Sequence, residues 1–266
     1  MKKLLVLFIA LILVTSCSKT KDKSKTIKVG ASITPHAEIL NEAKKALQEK
    51  GFSLEVVEFN DYVQPNISLN DGSLDANYFQ HSPYLEDFNQ QRNWDLTSAG
   101  KIHYEPFGLY GGKSKDIQNV KEGAVIAVPN DGTNEGRALF LLQDLGLITL
   151  KEGTSFSATI LDIESNPKNL VIKELEAAQL PKSLADVDFA IINGNYALEA
   201  GLSIKDDALA IEDASSAAAE TYGNIIAVRK EDVESEKIKA LVEVLKSEAI
   251  KDWINNKYQG AVVPSK

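Results

Sequence analysis

Three clusters in this chain carry residue types suited to holding a small polar molecule. The first is Asp75-Ala76-Asn77-Tyr78-Phe79-Gln80-His81-Ser82-Pro83-Tyr84-Leu85, with Tyr62 upstream in Asn60-Asp61-Tyr62-Val63-Gln64-Pro65. Rings and an imidazole interleaved with amides suit an apolar or thioether chain, because sulfur packs favourably near ring edges. The same rings would also serve as core, Phe79 above all. The second cluster is Asn130-Asp131-Gly132-Thr133-Asn134-Glu135-Gly136-Arg137. It follows an apolar strand and opens a helix, where free backbone N–H groups attract a carboxylate. Arg137 would add a planar bidentate donor, unless it pairs with Glu135 on the surface. The third is Asn193-Gly194-Asn195-Tyr196, directly after another apolar strand. Side-chain amides both donate and accept, which suits an ammonium beside a carboxylate. Asn-Gly is equally a common turn dipeptide. Asn224, in Tyr222-Gly223-Asn224, is a fourth candidate.

Several chemistries are disfavoured. No Gly-Lys-Ser/Thr closes the 130–137 run, so it is not a nucleotide P-loop. His36, His81 and His103 are the only histidines. None lies in a His-Glu-x-x-His site, and no Gly-x-Ser-x-Gly elbow is present. Scattered as they are along the chain, they make a poor metal site. No metal, cofactor or enzymatic activity is expected. The formal net charge of −9 argues against nucleic acid as a partner. With one cysteine, Cys17, the chain can form no internal disulfide.

The elements that must position these residues read as an α/β protein. Ile27-Lys28-Val29-Gly30 is a strand, Thr34 an N-cap and Pro35 the first helical residue. Ile39, Leu40, Ala43, Ala46 and Leu47 recur at helical spacing up to Gly51, and Phe52, Leu54 and Val56 then alternate as a strand. This β-α-β unit implies a parallel sheet. The second half repeats the plan: a strand at Ala124-Val125-Ile126-Ala127-Val128, a turn, and a helix over residues 138–145. Asp186-Val187-Asp188-Phe189-Ala190 echoes Ser73-Leu74-Asp75-Ala76-Asn77. Residues 238–253 read as one amphipathic helix with Ile238, Leu241, Val242, Leu245, Ala249 and Trp253 on one face. Segments around 106–111 and 223–228 read as crossovers. The expected architecture is two α/β lobes joined by two crossovers around a hinged cleft. Residues 27–108 plus 223–266 form the first lobe and 109–222 the second.

Residues 1–17 resemble a bacterial lipoprotein signal. Two lysines precede an apolar run over residues 4–14, too short to span a bilayer, and then Thr15, Ser16 and Cys17. The resemblance implies removal of residues 1–16, lipidation of Cys17, and a flexible tether over 17–26. Loss of Lys2 and Lys3 moves the net charge from −9 to −11. It also removes Met1, the only methionine.

Taken together the motifs resemble the methionine-binding lipoproteins of ABC importers, the MetQ/NlpA family. The resemblance rests on Cys17, Tyr62 in Asp-Tyr-Val-Gln-Pro-Asn, Ala76-Asn77-Tyr78-Phe79-Gln80-His81 with Pro83-Tyr84-Leu85, Asn130 to Asn134 with Arg137, Asn193-Gly194-Asn195-Tyr196, and Tyr222-Gly223-Asn224. It spans essentially the whole chain. It implies a periplasmic-binding-protein-like fold that captures methionine, L- or D-, and delivers it to a permease and its ATPase. Tyr62, Phe79, His81 and Tyr84 would surround the side chain. Arg137, Asn195 and Asn224, with Asn134 and Asn193, would hold the head group. Another apolar amino acid, a methionine dipeptide, or a surface-interaction role for the same lipoprotein are the alternatives. The protein would sit lipid-anchored at a cell membrane, facing outward.

Replacing the anchor tests the signal reading: Cys17→Ala should abolish palmitate incorporation and release the protein from the membrane fraction. Ligand binding should be unchanged. A variant that still incorporates labelled palmitate would show that the lipid is attached elsewhere.

Overall fold

The structure, a computed structural model, describes residues 23–213 and 220–265. Cys17 and the signal lie outside the described residues. The chain begins with β1 (Thr26–Ser32), α1 (Glu38–Glu49), β2 (Ser53–Phe59), α2 (Gln64–Asn70), β3 (Ala76–His81), α3 (Ser82–Arg92) and β4 (Thr97–Tyr104). It continues through β5 (Gly108–Gly111), β6 (Val125–Pro129), α4 (Gly132–Asp144), β7 (Thr149–Leu150), β8 (Ile163–Ser165) and β9 (Val171–Leu175). Next come α5 (Leu180–Ser183), β10 (Phe189–Ile192), α6 (Gly194–Glu199) and β11 (Ala208–Ile211). It closes with β12 (Asn224–Val228), α7 (Glu236–Leu245), α8 (Glu248–Tyr258) and β13 (Val263–Pro264).

Two sheets result. The first has the order β13-β4-β12-β3-β1-β2 and the second β11-β5-β10-β6-β9, with β7 and β8 forming a small separate hairpin. β1 runs parallel to β2 and β3, and β6 runs parallel to β9 and β10. β12 returns antiparallel between β3 and β4. The chain therefore leaves the first sheet after Tyr104 and re-enters it at Asn224. Gly108, placed by the sequence reading in the first lobe, instead opens β5 of the second sheet.

The echo between the halves has a structural counterpart. Asp75 Oδ2 accepts the Lys28 N–H at 2.7 Å, while Asp188 Oδ2 accepts the Val125 N–H at 2.8 Å. In each lobe the aspartate N–H also donates to the carbonyl of that same partner residue. One acidic residue at the start of a central strand thus pins the neighbouring parallel strand, once in each lobe.

Apolar periodicity places the cores. Ile39, Leu40, Ala43 and Leu47 on α1 pack with Ile27 and Val29 of β1 and with Leu241 of α7. In the second lobe Leu139 and Leu142 of α4 meet Ile126 and Val128 of β6 and Phe189 and Ile191 of β10. Each lobe thus holds its sheet rigid, and the strand ends can present side chains to the cleft.

The segments read as crossovers, 106–111 and 223–228, hold β5 and the central strand β12, so that of these residues only 106, 107 and 223 lie outside the strands. Three further element boundaries differ from the sequence reading. α1 starts at Glu38, because Thr34 is extended and residues 33–37 form a single wide turn. α4 starts at Gly132 rather than at residue 138, since Asp131 caps it by accepting the Asn134 N–H at 3.1 Å. The final amphipathic stretch is two helices, not one. The break falls at Lys246 and Ser247, and the Ser247 hydroxyl caps α8 by accepting the Ile250 N–H. A serine followed by Glu248 in the first turn is an N-terminal signal that the continuous apolar periodicity concealed.

Candidate ligand-binding site

The carboxyl ends of the central strands of both sheets face one another across a small cavity. That is the usual place for ligands in open α/β sheets. β3 contributes Phe79, Gln80 and His81; the loop after β2 and helix α3 contribute Tyr62 and Tyr84. α4 supplies Asn134 and Arg137, the residue just past β10 is Asn193, and the first turn of α6 supplies Gly194 and Asn195. Asn224 comes from the start of β12. All nine residues singled out in the sequence line this one cavity. Glu105 and Phe107, on the segment joining the lobes, line it too and had not been singled out.

One wall is aromatic. Tyr62, Phe79 and Tyr84 form a triangle with centroid separations of 5.8, 6.0 and 6.0 Å. Tyr78, the remaining ring of that run, faces the other way and packs on His36 and His103. Behind the wall, Asn66, Asn77 and Gln80 satisfy one another with amide hydrogen bonds of 2.7–2.9 Å, which ties α2 to β3.

The opposite side is polar. Arg137 is buried rather than exposed, and its partner is Glu212, not Glu135. Nε donates to both Glu212 oxygens at 3.0 and 3.1 Å, Nη2 donates to Glu212 and to the Glu105 carbonyl, and Tyr104 also donates to Glu212. The guanidinium lies 4.0 Å from the Phe107 ring centroid and 4.4 Å from that of Tyr222. Burial disfavours charge on the arginine, but the Glu212 carboxylate outweighs it and the pKa rises. Burial likewise opposes ionisation of Glu212, and Arg137 overrides it, so that the carboxyl stays below its usual range. Arg137 Nη1 has no hydrogen-bond partner among the described residues and remains able to donate. Glu135 instead accepts the Ile160 N–H at 2.9 Å.

The amides can be assigned from their partners. Asn134 Nδ2 donates to Asp131 at 2.8 and 3.0 Å, so Asn134 Oδ1 is the acceptor for His81 Nε2 at 3.2 Å and for Asn193 Nδ2 at 3.0 Å. The Tyr62 hydroxyl donates across the cleft to Asn195 Oδ1 at 2.5 Å. Two buried groups are left over: Asn193 Oδ1, an acceptor, and Asn195 Nδ2, a donor. Buried polar atoms are rarely left unmatched, and this acceptor and this donor both belong to residues that line the cavity.

His81 caps α3 with Nδ1, which accepts the Tyr84 N–H at 3.2 Å. Its Nε2 must then carry the proton that goes to Asn134. Burial, helped by the Arg137 charge, lowers its pKa to about 3. Burial lowers His36 to about 4 and His103 to about 3, so all three rings are neutral at pH 7. Far from being scattered, His36 and His103 converge on Glu105: Nε2 of each lies 3.3 and 2.7 Å from its Oε1.

Two lobes, two connections and a polar-aromatic cavity between them define a solute-binding protein of the two-lobed class. A sequence model of the NlpA lipoprotein family matches residues 27–266, and the chain belongs to that family. It is 44% identical over 244 residues to the methionine-binding lipoprotein MetQ of Bacillus subtilis, covering 90% of this chain and 88% of the relative. A nutrient-binding protein from Burkholderia cenocepacia, solved bound to methionine, superposes with a TM-score of 0.86 at 46% identity, covering 90% of this chain and 100% of the other. An ABC-transporter periplasmic substrate-binding protein from Coxiella burnetii gives 0.84 at 43% identity, with the same coverage.

The proton assignments are open to direct observation. Long-range nitrogen–proton NMR spectra should show all three histidines as neutral Nε2–H tautomers. None should titrate between pH 8 and pH 5, whereas an unperturbed imidazole has its midpoint near 6.5. A histidine that gains charge near pH 6.5 would show that its ring is not held as described.

Proposed function

We propose that this chain is the substrate-binding lipoprotein of an ABC amino-acid importer. It captures methionine between its lobes and hands it to a membrane permease driven by an ATPase. The carrying observation is the cavity itself, in which unmatched donors and acceptors stand beside a three-ring aromatic wall. Arg137 Nη1 and the Asn195 and Asn224 amides take the ligand carboxylate. Asn193 Oδ1 and the Glu105 carboxylate take the ammonium, and Asn134 holds Asn193 and His81 in place. Tyr62, Phe79, His81 and Tyr84 enclose the thioether chain. The methionine in the Burkholderia relative supports this choice of ligand.

The same contacts explain how capture would close the cleft. Tyr62 to Asn195, His81 to Asn134, and the Tyr196 hydroxyl to the Asn60 carbonyl at 3.2 Å all run from one lobe to the other. A ligand that completes hydrogen bonds on both sides favours the closed arrangement by its differential affinity. Cys17, lipidated, tethers the closed protein near its permease. Among the described residues no helix is long and apolar enough to cross a membrane.

Titration calorimetry on protein stripped of ligand by unfolding and refolding tests the reading. L-Methionine should bind far more tightly than alanine, which forfeits roughly 1.5–3 kcal/mol of side-chain burial, or about ten- to hundredfold in affinity. Glutamate should bind poorly, because it brings an uncompensated charge to the aromatic wall. Norleucine should come closest, separated from methionine by only about 0.3–1.5 kcal/mol of sulfur–ring contact. D-Methionine and a methionine dipeptide, run alongside, define the enantiomer and length accepted. Phe79→Ala should weaken methionine much more than alanine. Equal affinity for alanine and methionine would rule out the aromatic wall as the side-chain site.

A further inference from the structure

Behind the cavity lies a buried chain of polar groups, most of which do not line it. The Tyr78 hydroxyl meets His103 Nδ1, and His103 Nε2 meets Glu105 Oε1 at 2.7 Å. His36 Nε2 lies 3.3 Å from that same oxygen and 3.1 Å from Asn224 Oδ1. Four different segments meet here: the turn before α1, β3, β4 with the residue just past it, and β12. Each of the five side chains is buried.

Hydrogen-bond logic orients the whole chain. The Tyr78 hydroxyl has no other acceptor among the described residues, so it must donate to His103 Nδ1. His103 then carries its proton on Nε2 and donates it to Glu105. His36 Nε2 faces two oxygen acceptors, so it too must carry a proton. Glu105 Oε1 thus receives two N–H groups, which favour the ionised carboxylate over the neutral acid. Burial raises the pKa of this carboxyl above the usual carboxylate range, and the His36 ring, Arg137 and the Asn195 N–H offset only part of that rise. The other oxygen, Oε2, lies over Gly194, where a Cβ would come within 2.7 Å. Glycine there allows the close approach and keeps Oε2 at the cavity.

We infer that His36 and His103 are positioning residues that make this site select ligands bearing an amine. They touch no cavity surface themselves. They bias Glu105 toward the carboxylate with one oxygen fixed and the other presented, and His36 also fixes the Asn224 amide so that Nδ2 is left to donate. The inference rests on the proposed role of Glu105 toward the ligand ammonium. A carboxylate pinned in this way offers a full charge in a desolvated site, so loss of the pin is felt by the amine and hardly at all by the rest of the ligand. The same residues could be read as metal donors, since their ligand atoms lie within 4.8 Å of one another. The two Nε2 protons argued above already occupy the positions that a cation would need.

The test compares methionine with 4-(methylsulfanyl)butanoate, the same molecule without its amine, on ligand-stripped full-length protein. The wild-type protein should prefer methionine strongly. His103→Leu should lose methionine affinity by about ten- to hundredfold, the worth of a hydrogen bond to a charged group. Its affinity for the amine-free analogue should change little. His103→Gln, which restores an N–H near the Nε2 position, should recover most of the preference. Should His103→Leu fail to fold, Tyr78→Phe removes the proton that orients His103 and should reduce the same preference. If a folded variant weakens both ligands equally, the histidines are merely structural and the inference fails. One equivalent of zinc or another metal in the purified protein would also overturn it. If wild-type protein does not distinguish the two ligands, the failure lies instead with Glu105 as the ammonium partner.

Discussion

Closing two lobes over a charged molecule removes that charge from water, and everything else in this site follows from that cost. A buried ion left without a partner is expensive enough to prevent closure. The protein has therefore arranged its own charges before any ligand arrives. Arg137 is held by Glu212, Tyr104 and the Glu105 carbonyl, and is flanked by the rings of Phe107 and Tyr222. Glu105 is held by two imidazoles. Each of these ions keeps one face for the cavity, so a zwitterion meets preset partners of both signs. Fixing these groups in advance lowers the ordering cost of binding.

The fold makes such an arrangement possible by sending different parts of the chain to one place. β3 ends at His81 and β10 at Ile192, just before Asn193, so both central strands point their carboxyl ends at the cleft. The chain crosses between lobes after Tyr104 and returns at Asn224. The first crossing carries Glu105 and Phe107 to the cavity, and the second ends at Asn224, the first residue of β12. Residues that line the cavity and the segments that join the lobes are thus contiguous in sequence.

Much of this was legible in the residue order. The aromatic-imidazole run, the Asp131 turn with Arg137 one helical turn on, and Asn193-Gly194-Asn195 are local clusters, and all line the cavity. What escaped was set by distance. Glu105 stands alone after β4, with no spacing to mark it, and acquires meaning only when His36 and His103 fold against it from 69 and two residues away. Glu212 is one acid in a polar stretch, yet it replaces Glu135 as the partner of Arg137 because β11 carries it across the lobe. Histidines that look scattered in sequence are neighbours in space for the same reason. Tyr78 was read with the aromatic cluster, but strand alternation turns it to the opposite face from Phe79. The helix over residues 238–253 failed locally: apolar periodicity ran through the Ser247 cap and hid it.

The most direct test of the account is the identity of the molecule the protein carries when purified from its cells. Denaturing the protein and weighing what it releases by mass spectrometry requires no assumption about mechanism. Denaturation cleaves no peptide bond, and Met1 is the only methionine of the chain, so free methionine in the released fraction comes from the ligand. The account predicts about one equivalent of methionine, or of a close analogue with a free amine and carboxylate. Release of a metal ion, or of a molecule lacking either charged end, would contradict it.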